Sequence, residues 1–336
     1  MTMEQIVALS VKHYASDLHL CTGEVPRWRK AGVLETMPVG APPPEQLLAS
    51  WLSAEQKERL ASRGQLDFAV TLADGQRLRA NAFHQRQGIS LALRILPWRC
   101  PELAELEAPE HLTTLLRSDN GLLLVTGATG SGKSTTLAAM VDFLNQGGGK
   151  HIISLEDPIE YLHGSAGSLI QQREVGVHCG SFAAGLRAAL REDPDVILLG
   201  ELRDSETIRL ALTAAETGHL VLATLHTRGA AQAVARITDV FAAEEKPLIA
   251  AQLADCLRGV VAQRLVPACS GGRVALFELL VNTPAVACTI RDGKNHQLPG
   301  LIQTGLQSGM QDFARSLAQR RLQGRVAPGD MGDHDS

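Results

Sequence analysis

Several features are scarce or missing in this chain of 336 residues. No apolar run approaches the roughly 18–20 residues needed to span a bilayer, and the N-terminus has no basic segment leading into an apolar one. We therefore expect no transmembrane segment and no signal peptide. The formal net charge is −4 and aromatic residues make up only 4% of the sequence. The chain has no net positive charge to attract nucleic acid and few aromatic side chains on which bases could stack. We therefore expect no nucleic-acid partner.

Cysteine pairs are missing as well. The six cysteines lie far apart in the sequence and form no C-x-x-C motif. In a chain of this size, that scatter argues against a disulfide scaffold and against a zinc ribbon. We expect free thiols in a reducing compartment, and hence a cytoplasmic protein.

What remains is the composition of a globular protein, with 45% hydrophobic and 20% charged residues in a chain long enough for two domains. Alternating apolar residues over 66–72, 78–82 and 89–95, with a turn at Asp74-Gly75, predict a three-stranded antiparallel meander. We expect a small N-terminal α+β domain over residues 1–96, a linker over 97–109 and a disordered polar tail over 325–336.

Three arginines fall on one side of this predicted meander. Strand parity places Arg77 and Arg79 opposite Leu78, and Arg94 opposite Leu93. Two explanations fit such a face equally well: simple exposure to solvent, or binding of an anion by the guanidinium groups. The pattern alone leaves both explanations open.

Residues 110–324 alternate strand-like and helix-like segments. Strands are predicted over 121–126, 151–155, 195–200 and 219–225, and helices over 133–145, 181–192, 205–217 and 229–240. This rhythm predicts an α/β fold with a largely parallel sheet, followed from about residue 245 by a mainly helical part.

The segment between the first predicted strand and helix fits the phosphate-binding loop G-x-x-x-x-G-K-[ST] at every defined position. Glycines let backbone N–H groups turn toward a polyphosphate, and the helix N-terminus adds partial positive charge. We expect Lys133 to reach the β- and γ-phosphates of ATP and the Ser134 hydroxyl to hold Mg²⁺. The predicted ATP-binding residues here are Gly127, Ala128, Thr129, Gly130, Ser131, Gly132, Lys133, Ser134 and Thr135.

Two apolar strands deliver carboxylates at their C-terminal ends, where α/β sheets place ligands. One is followed by Glu156 and Glu160, and the other by Glu201. Where the usual hydrolysis motif has an aspartate this chain has Gly200, so Glu201 is the expected general base that activates water. For each acid taken alone, a helix cap or a solvated loop is the alternative.

Histidines bracket a third strand. His226 follows its C-terminal end and is a candidate for contacting the γ-phosphate, with a satisfied structural histidine as the alternative. His219 and His226 are seven residues apart on a strand and face opposite sides, so we do not expect them to share a metal ion.

These four segments, in this order, resemble the secretion ATPase superfamily that powers type II secretion and type IV pili. Segments 15–20 and 77–83 are similar to the same family, so the resemblance covers nearly the whole chain. Within it, the chain is most similar to the pilus retraction (twitching motility, PilT-like) motors. The N-terminal domain is short, and Gln263-Arg264-Leu265 is not followed by the tetracysteine zinc module of assembly motors.

One segment departs from that pattern. Retraction motors carry the signature A-I-R-N-L-I-R-E, and residues 285–292 here are A-V-A-C-T-I-R-D. The family ties this segment to retraction rather than to hydrolysis. We therefore expect ATPase chemistry to be retained, and the direction of work stays open.

The resemblance implies a RecA-like P-loop ATPase core with a smaller N-terminal α+β (PAS-like) domain, assembled as a homo-hexamer. Glu156, Glu160 and His226 would support Glu201 and Lys133 in catalysis. The implied ATP-contacting arginines are Arg77, Arg79 and Arg94 over the phosphates, and Arg191 and Arg203 across a subunit interface. The implied partners are an inner-membrane platform protein and the pilus machinery, at the inner face of that membrane.

Three alternatives remain. An assembly or secretion motor of the same superfamily is opposed by the missing cysteine module. A nucleic-acid motor on a RecA-like core is opposed by the acidic charge and the scarce aromatics. A nucleotide-gated scaffold without turnover is opposed by the intact site residues.

Overall fold

In the computed structural model, which describes residues 1–30, 32–96 and 99–327, the chain divides into two compact units. The first comprises Met1–Arg99 together with Pro158–Tyr161, and the second comprises Cys100–Asp157 and Leu162–Ser336. Residues 97 and 98 of the predicted linker and residues 328–336 of the predicted tail lie outside the described residues.

The first unit is an α+β domain built on a six-stranded sheet. Its elements are α1 (Met3–Lys12), β1 (Ala15–Cys21), β2 (Arg27–Lys30), β3 (Val33–Thr36), α2 (Pro44–Trp51), α3 (Ala54–Arg63), β4 (Gln65–Thr71), β5 (Arg77–Gln85) and β6 (Gly88–Ile95). The strand order is β3-β2-β1-β6-β5-β4, and neighbouring strands are antiparallel.

The predicted meander is confirmed as β4, β5 and β6, which pair in sequence. Apolar residues of one parity are buried, including Leu78 and Ala80 at 0% exposure. Arg79 and Arg94 are partners across β5 and β6 on the other parity. Strands β1 to β3 were not predicted, although Leu18 and Leu20 alternate with polar residues and are buried in the same core.

The second unit carries a seven-stranded sheet flanked by helices. Its strands are β7 (Gly121–Thr126), β8 (His151–Glu156), β9 (Leu169–Glu174), β10 (Val196–Leu199), β11 (Leu220–Leu225), β12 (Leu257–Pro267) and β13 (Arg273–Val281). Its α-helices are α4 (His111–Leu116), α5 (Lys133–Gly147), α6 (Phe182–Ala189), α7 (Ser205–Glu216), α8 (Ala230–Asp239), α9 (Lys246–Cys256), α10 (Pro284–Arg291), α11 (Leu298–Thr304) and α12 (Phe313–Leu322). The strand order is β13-β12-β7-β11-β10-β8-β9.

Both faces of this sheet are covered, which explains its continuous apolar strands. Every residue of β7 and of β11 is buried. Alternate residues of β7 enter two separate cores: Leu123 packs in the core that contains α5, and Leu122 in the core that contains α7, α8 and α9. A parallel sheet buried on both sides is the arrangement that such strands favour.

The mainly helical pattern expected after residue 245 is wrong in part. β12 adds parallel to β7, and β13 pairs antiparallel with β12, so a hairpin extends the sheet. The run from Leu257 to Ala262 is almost wholly buried. A short apolar run of this kind fits a buried strand or a buried helix equally well, and here tertiary pairing decides for the strand.

Residues 100–109 of the predicted linker belong to the second unit. Leu103 is buried in its core, and both Arg320 and Arg325 form ion pairs with the carboxylate of Glu107. In the predicted tail, the side chain of Val326 is also buried. Within the part of the chain that the structure describes, no helix has the length and apolar character that a membrane crossing requires.

Candidate nucleotide site

The predicted phosphate loop joins β7 to α5 and turns tightly at its glycines. Gly127, Gly130 and Gly132 have φ of 154°, 78° and 91°, conformations that favour glycine. A Cβ at Gly127 would lie 2.4 Å from Ser131 Oγ, and one at Gly132 would lie 2.8 Å from Gln263 Nε2. Side chains at these two positions would therefore displace their neighbours. Main chain without side chains at these turns is what an anion-binding cradle of backbone N–H groups requires.

The other loop residues differ in exposure. Ala128, Thr129, Gly130 and Ser134 are exposed, Thr135 is half-buried and Ser131 is buried. The exposed stretch forms the open side of the loop, and Ser134 lies in the first turn of α5. The N-terminus of that helix carries partial positive charge, which favours an anion beside the loop.

Lys133 extends across the same loop. Its Nζ donates to the carbonyl oxygens of Gly127 and Ala128, at 2.8 Å and 3.0 Å, and lies 3.5 Å from His226 Nδ1. The residue is only 8% exposed. A buried ammonium group is thus held at the loop by main-chain acceptors.

Glu201 lies just beyond the carboxyl end of β10. Its side chain is 11% exposed, and its Oε2 is 3.2 Å from His226 Nε2. The guanidinium of Arg203 forms an ion pair with the other carboxylate oxygen. Lys133, His226, Glu201 and Arg203 therefore form one contiguous row of side chains, which the sequence motifs predicted only as separate candidates.

The two contacts of His226 fit one neutral tautomer. An ammonium group can only donate hydrogen bonds, so His226 Nδ1 faces Lys133 as the acceptor. The remaining proton then lies on Nε2, from where it can be donated to Glu201. The ring in this state joins the lysine to the carboxylate.

Threonines fix the segments that carry these groups. Thr227 N donates to Thr126 Oγ1 at 3.0 Å, which holds the His226 segment against the end of β7. The Thr224 hydroxyl donates to the Gly200 carbonyl, and Leu202 N donates to Thr224 O at 3.0 Å. Glu201 therefore lies between two residues that hydrogen-bond to Thr224 of β11, one to its hydroxyl and one to its carbonyl.

Gly200 occupies the position where the usual motif has an aspartate. A Cβ there would lie 3.3 Å from Leu155 O and 3.4 Å from Glu156 Cα. The neighbouring strand therefore leaves little room for a side chain at Gly200.

The two acids of the 156–160 segment have separate surroundings. Glu156 Oε1 accepts from Ser154 Oγ at 2.6 Å and from Gln172 Nε2 at 3.1 Å in the second unit. Glu160 groups with the first unit, where its Oε1 lies 3.7 Å from an Arg79 guanidinium nitrogen.

The remaining predicted arginines divide into two sets. Arg77, Arg79 and Arg94 belong to the first unit, and Arg94 Nε donates to Asp17 Oδ1 at 2.9 Å. Arg191 precedes β10 at the amino edge of the sheet, opposite the edge that carries Glu201, and donates to the carbonyl of Arg187. Arg203 is the one of these five that contacts Glu201 in the structure as described.

His219 also lies at the amino edge, where its Nδ1 is 3.0 Å from the carbonyl of Ala214. Among the residues described, no group of three or more His, Cys, Asp or Glu side chains is arranged to hold a metal ion. His219 is a structural histidine at the start of β11.

Sequence reasoning missed Gln263, which touches the phosphate loop from β12. The Thr136 hydroxyl donates to Gln263 Oε1 at 2.6 Å, and both residues are buried. A polar residue inside a long apolar strand was the available signal, because buried polar groups need partners.

A glycine cradle with a buried lysine at the carboxyl edge of a doubly covered parallel sheet defines the class: an α/β phosphate-loop protein. The profile of the family described as Type II/IV secretion system protein matches residues 2–298. The chain therefore belongs to that family.

Similar proteins cover almost its whole length. "Uncharacterized protein YggR" of Escherichia coli is 64% identical over 97% of this chain and 100% of its own. The type IV pilus retractation ATPase PilT of Pseudomonas aeruginosa is 43% identical over 98% of this chain and 95% of its own. A crystal structure of the pilus retraction motor PilT with bound ADP matches with a TM-score of 0.87 and 42% identity, over 98% of this chain and 95% of that one. The expected RecA-like core with a smaller N-terminal α+β domain, and the resemblance to PilT-like ATPases, are confirmed.

Proposed function

We propose that this protein is a Mg²⁺-dependent ATPase that works as a homo-hexameric motor of the PilT-like type. The contiguous row from Lys133 through His226 to Glu201 at the phosphate loop is the observation that carries the proposal. It brings a phosphate-binding cation and a carboxylate able to position water to one site, joined by a histidine, and phosphoryl transfer to water relies on groups of the first two kinds. The work driven by hydrolysis would be the movement of pilin subunits through an inner-membrane platform protein.

The loop residues fit a nucleotide polyphosphate. Its main-chain cradle has no room for side chains at Gly127 and Gly132, and the Lys133 ammonium lies beside it. Phosphate oxygens would take over from the Gly127 and Ala128 carbonyls as acceptors for that ammonium. Ser134, exposed at the start of α5, would hold Mg²⁺, which neutralises charge on the phosphates when bound.

Glu201 is the proposed general base. Its carboxylate is largely buried yet fixed from both sides, by Arg203 and by His226. A base held in this way accepts the proton of an attacking water without first paying to reorient. Because the imidazole of His226 contacts both groups, a shift of Lys133 when nucleotide binds would also move the Glu201 carboxylate. Glu156 and Glu160 are proposed to support the site through their own units.

The arginines are proposed to act on charge that develops during hydrolysis. Arg77, Arg79 and Arg94 would close over the phosphates, and Arg203 and Arg191 would contact charge across a subunit interface. Guanidinium groups stabilise the transition state of phosphoryl transfer in many such sites. In the assembly we propose, the ring lies at the inner face of the inner membrane.

Whether the motor retracts or assembles a fibre is a separate question from whether it hydrolyses ATP. The altered 285–292 segment, which the family ties to retraction, falls almost entirely on α10. Ala285 and Cys288 are exposed there, at positions facing away from the core. Deletion of the gene, scored for twitching and for fibre display, separates a retraction motor from an assembly motor. Loss of twitching with excess fibres supports retraction, and loss of fibres supports assembly.

Phosphate release by the purified protein, with and without Mg²⁺, tests the ATPase proposal. We expect Mg²⁺-dependent turnover that Lys133→Ala reduces to background, because the loop loses its cation. Lys294→Ala is the matched control, since Lys294 is exposed and pairs with Asp292 on the surface. Turnover in Lys133→Ala at the rate of the control would contradict the proposal, as would turnover that depends on added DNA.

A further inference from the structure

Gln263 lies directly behind the phosphate loop. Strand β12 pairs in parallel with β7, and their register aligns Ala262 with Thr126. The next residue of β12 is therefore level with Gly127, the first residue of the loop. Gln263 is 2% exposed, so its carboxamide sits in the interior of the second unit.

One hydrogen bond and two close approaches to glycine positions relate this residue to the loop and to the helix that follows. The Gln263 carbonyl oxygen would lie 2.5 Å from a Cβ at Gly127, and its Nε2 would lie 2.8 Å from a Cβ at Gly132. Its Oε1 accepts from Thr136 Oγ1 at 2.6 Å, in the first turn of α5. One residue thus abuts the first and last glycines of the loop and also anchors α5.

We infer that Gln263 is the positioning residue that holds the phosphate loop in its nucleotide-binding shape. The inference rests on the proposed function of that loop. Its physical basis is that a cradle of main-chain N–H groups binds phosphate only when those groups converge, and convergence needs a fixed support. The carboxamide supplies that support from outside the motif.

Two variants remove the anchor from opposite sides. Gln263→Leu keeps most of the side-chain volume and removes the acceptor, and Thr136→Val keeps the shape and removes the donor. Each variant leaves the other buried polar group without its hydrogen-bond partner beside the loop. We therefore expect each to weaken binding of fluorescent MgADP by about tenfold. Thr136→Ser retains the hydroxyl and is expected to bind like the unmodified protein.

A third variant separates positioning from general stability. Ser316 is as buried as Gln263, and its hydroxyl accepts from Phe277 N at 3.0 Å away from the loop. Ser316→Ala also removes a buried hydrogen bond, so we expect a lower thermal midpoint with unchanged affinity for MgADP. All titrations are made below the lowest unfolding midpoint of the set.

The test is the double-mutant cycle on MgADP affinity. Because the two residues act through one hydrogen bond, we expect the double variant to bind no more weakly than the weaker single variant. Affinity at the unmodified level in Gln263→Leu, or losses that multiply in the double variant, would overturn the inference. If Gln263→Leu does not fold, equal affinity of Thr136→Val and Thr136→Ser would overturn it instead. If the unmodified protein does not bind MgADP, both the proposed function and this inference are refuted. If it binds and the variants behave otherwise than expected, only the inference is refuted.

Discussion

The two edges of the parallel sheet in the second unit carry similar residue types in different surroundings. At the carboxyl edge, Glu201 contacts His226, and the other ring nitrogen of His226 lies 3.5 Å from Lys133 Nζ. At the amino edge, Asp195 accepts from His151 N at 2.7 Å, and His219 contacts a helix carbonyl. Asp195 and His219 at the amino edge therefore satisfy main-chain groups nearby, whereas Glu201 and His226 at the carboxyl edge face each other.

The difference shows what makes such residues candidates for chemistry. A carboxylate that accepts a hydrogen bond from a neighbouring backbone N–H stabilises the local main chain. A carboxylate held between a histidine and an arginine beside a main-chain cradle can act on a third group. Matched substitutions at the two edges test this comparison.

The largest difference is expected between Glu201→Gln and Asp195→Asn. Loss of the general base should lower turnover about 10²- to 10⁴-fold while MgADP still binds, because the loop is unchanged. Asp195→Asn keeps an oxygen for His151 N and should leave turnover unaltered. Phosphate release at saturating ATP measures both, and a Glu201→Gln rate close to that of Asp195→Asn would remove Glu201 from the mechanism.

A smaller difference is expected between His219 and His226, the two histidines that bracket β11. His226→Gln breaks the connection between Lys133 and Glu201, so we expect turnover to fall about 10- to 100-fold, the value of one hydrogen bond to a charged group. His219→Gln should lower stability by about 1 kcal/mol and leave turnover per folded molecule unchanged. Rates and thermal midpoints are measured together for both variants. Equal rates would show that the row of contacts has no catalytic part.

The smallest effect concerns Glu278 on β13, which caps α8 just after the His226 segment. Its Oε1 accepts from Ala230 N at 2.8 Å, and burial raises the pKa of its carboxyl above the ordinary value. The folded state then holds the proton more tightly than the unfolded state. This contribution to stability is complete below about pH 4.3, the ordinary pKa, and is lost as pH rises through the raised pKa.

Glu278→Gln removes that proton equilibrium while keeping an acceptor for Ala230. We therefore expect the variant to gain stability relative to the unmodified protein as pH rises from about 4.3, and the gain to level off once the carboxyl is ionised. Urea unfolding at a series of pH values measures it, with exposed Glu206→Gln as the baseline. A pH-independent difference would contradict the raised pKa.

The sequence was most informative where a local pattern determines local structure. The strand, loop and helix around Lys133 follow from glycines, a buried strand and helical periodicity, and all three form as predicted. The β4–β6 meander also follows from alternation and a turn at Asp74-Gly75. In both cases the determining residues are neighbours in the chain.

Prediction failed where distant residues decide the structure. Strand β12 is specified by pairing with β7, and Gln263 gains its place only from that pairing. Likewise, residues 100–109 resemble a linker by composition but are fixed by Arg320, which is 4% exposed and pairs with Glu107. The contact of Glu201 with His226 joins two strand ends that no local pattern relates.

The most direct measurement is calorimetric titration of the folded protein with MgADP and, separately, with adenosine. We expect saturable binding of MgADP and at least about a hundredfold weaker binding of adenosine, because charge-assisted contacts to phosphate supply most of the affinity. Equal binding of the two ligands, or no binding of MgADP, would contradict the central claim that the loop at Lys133 captures a polyphosphate.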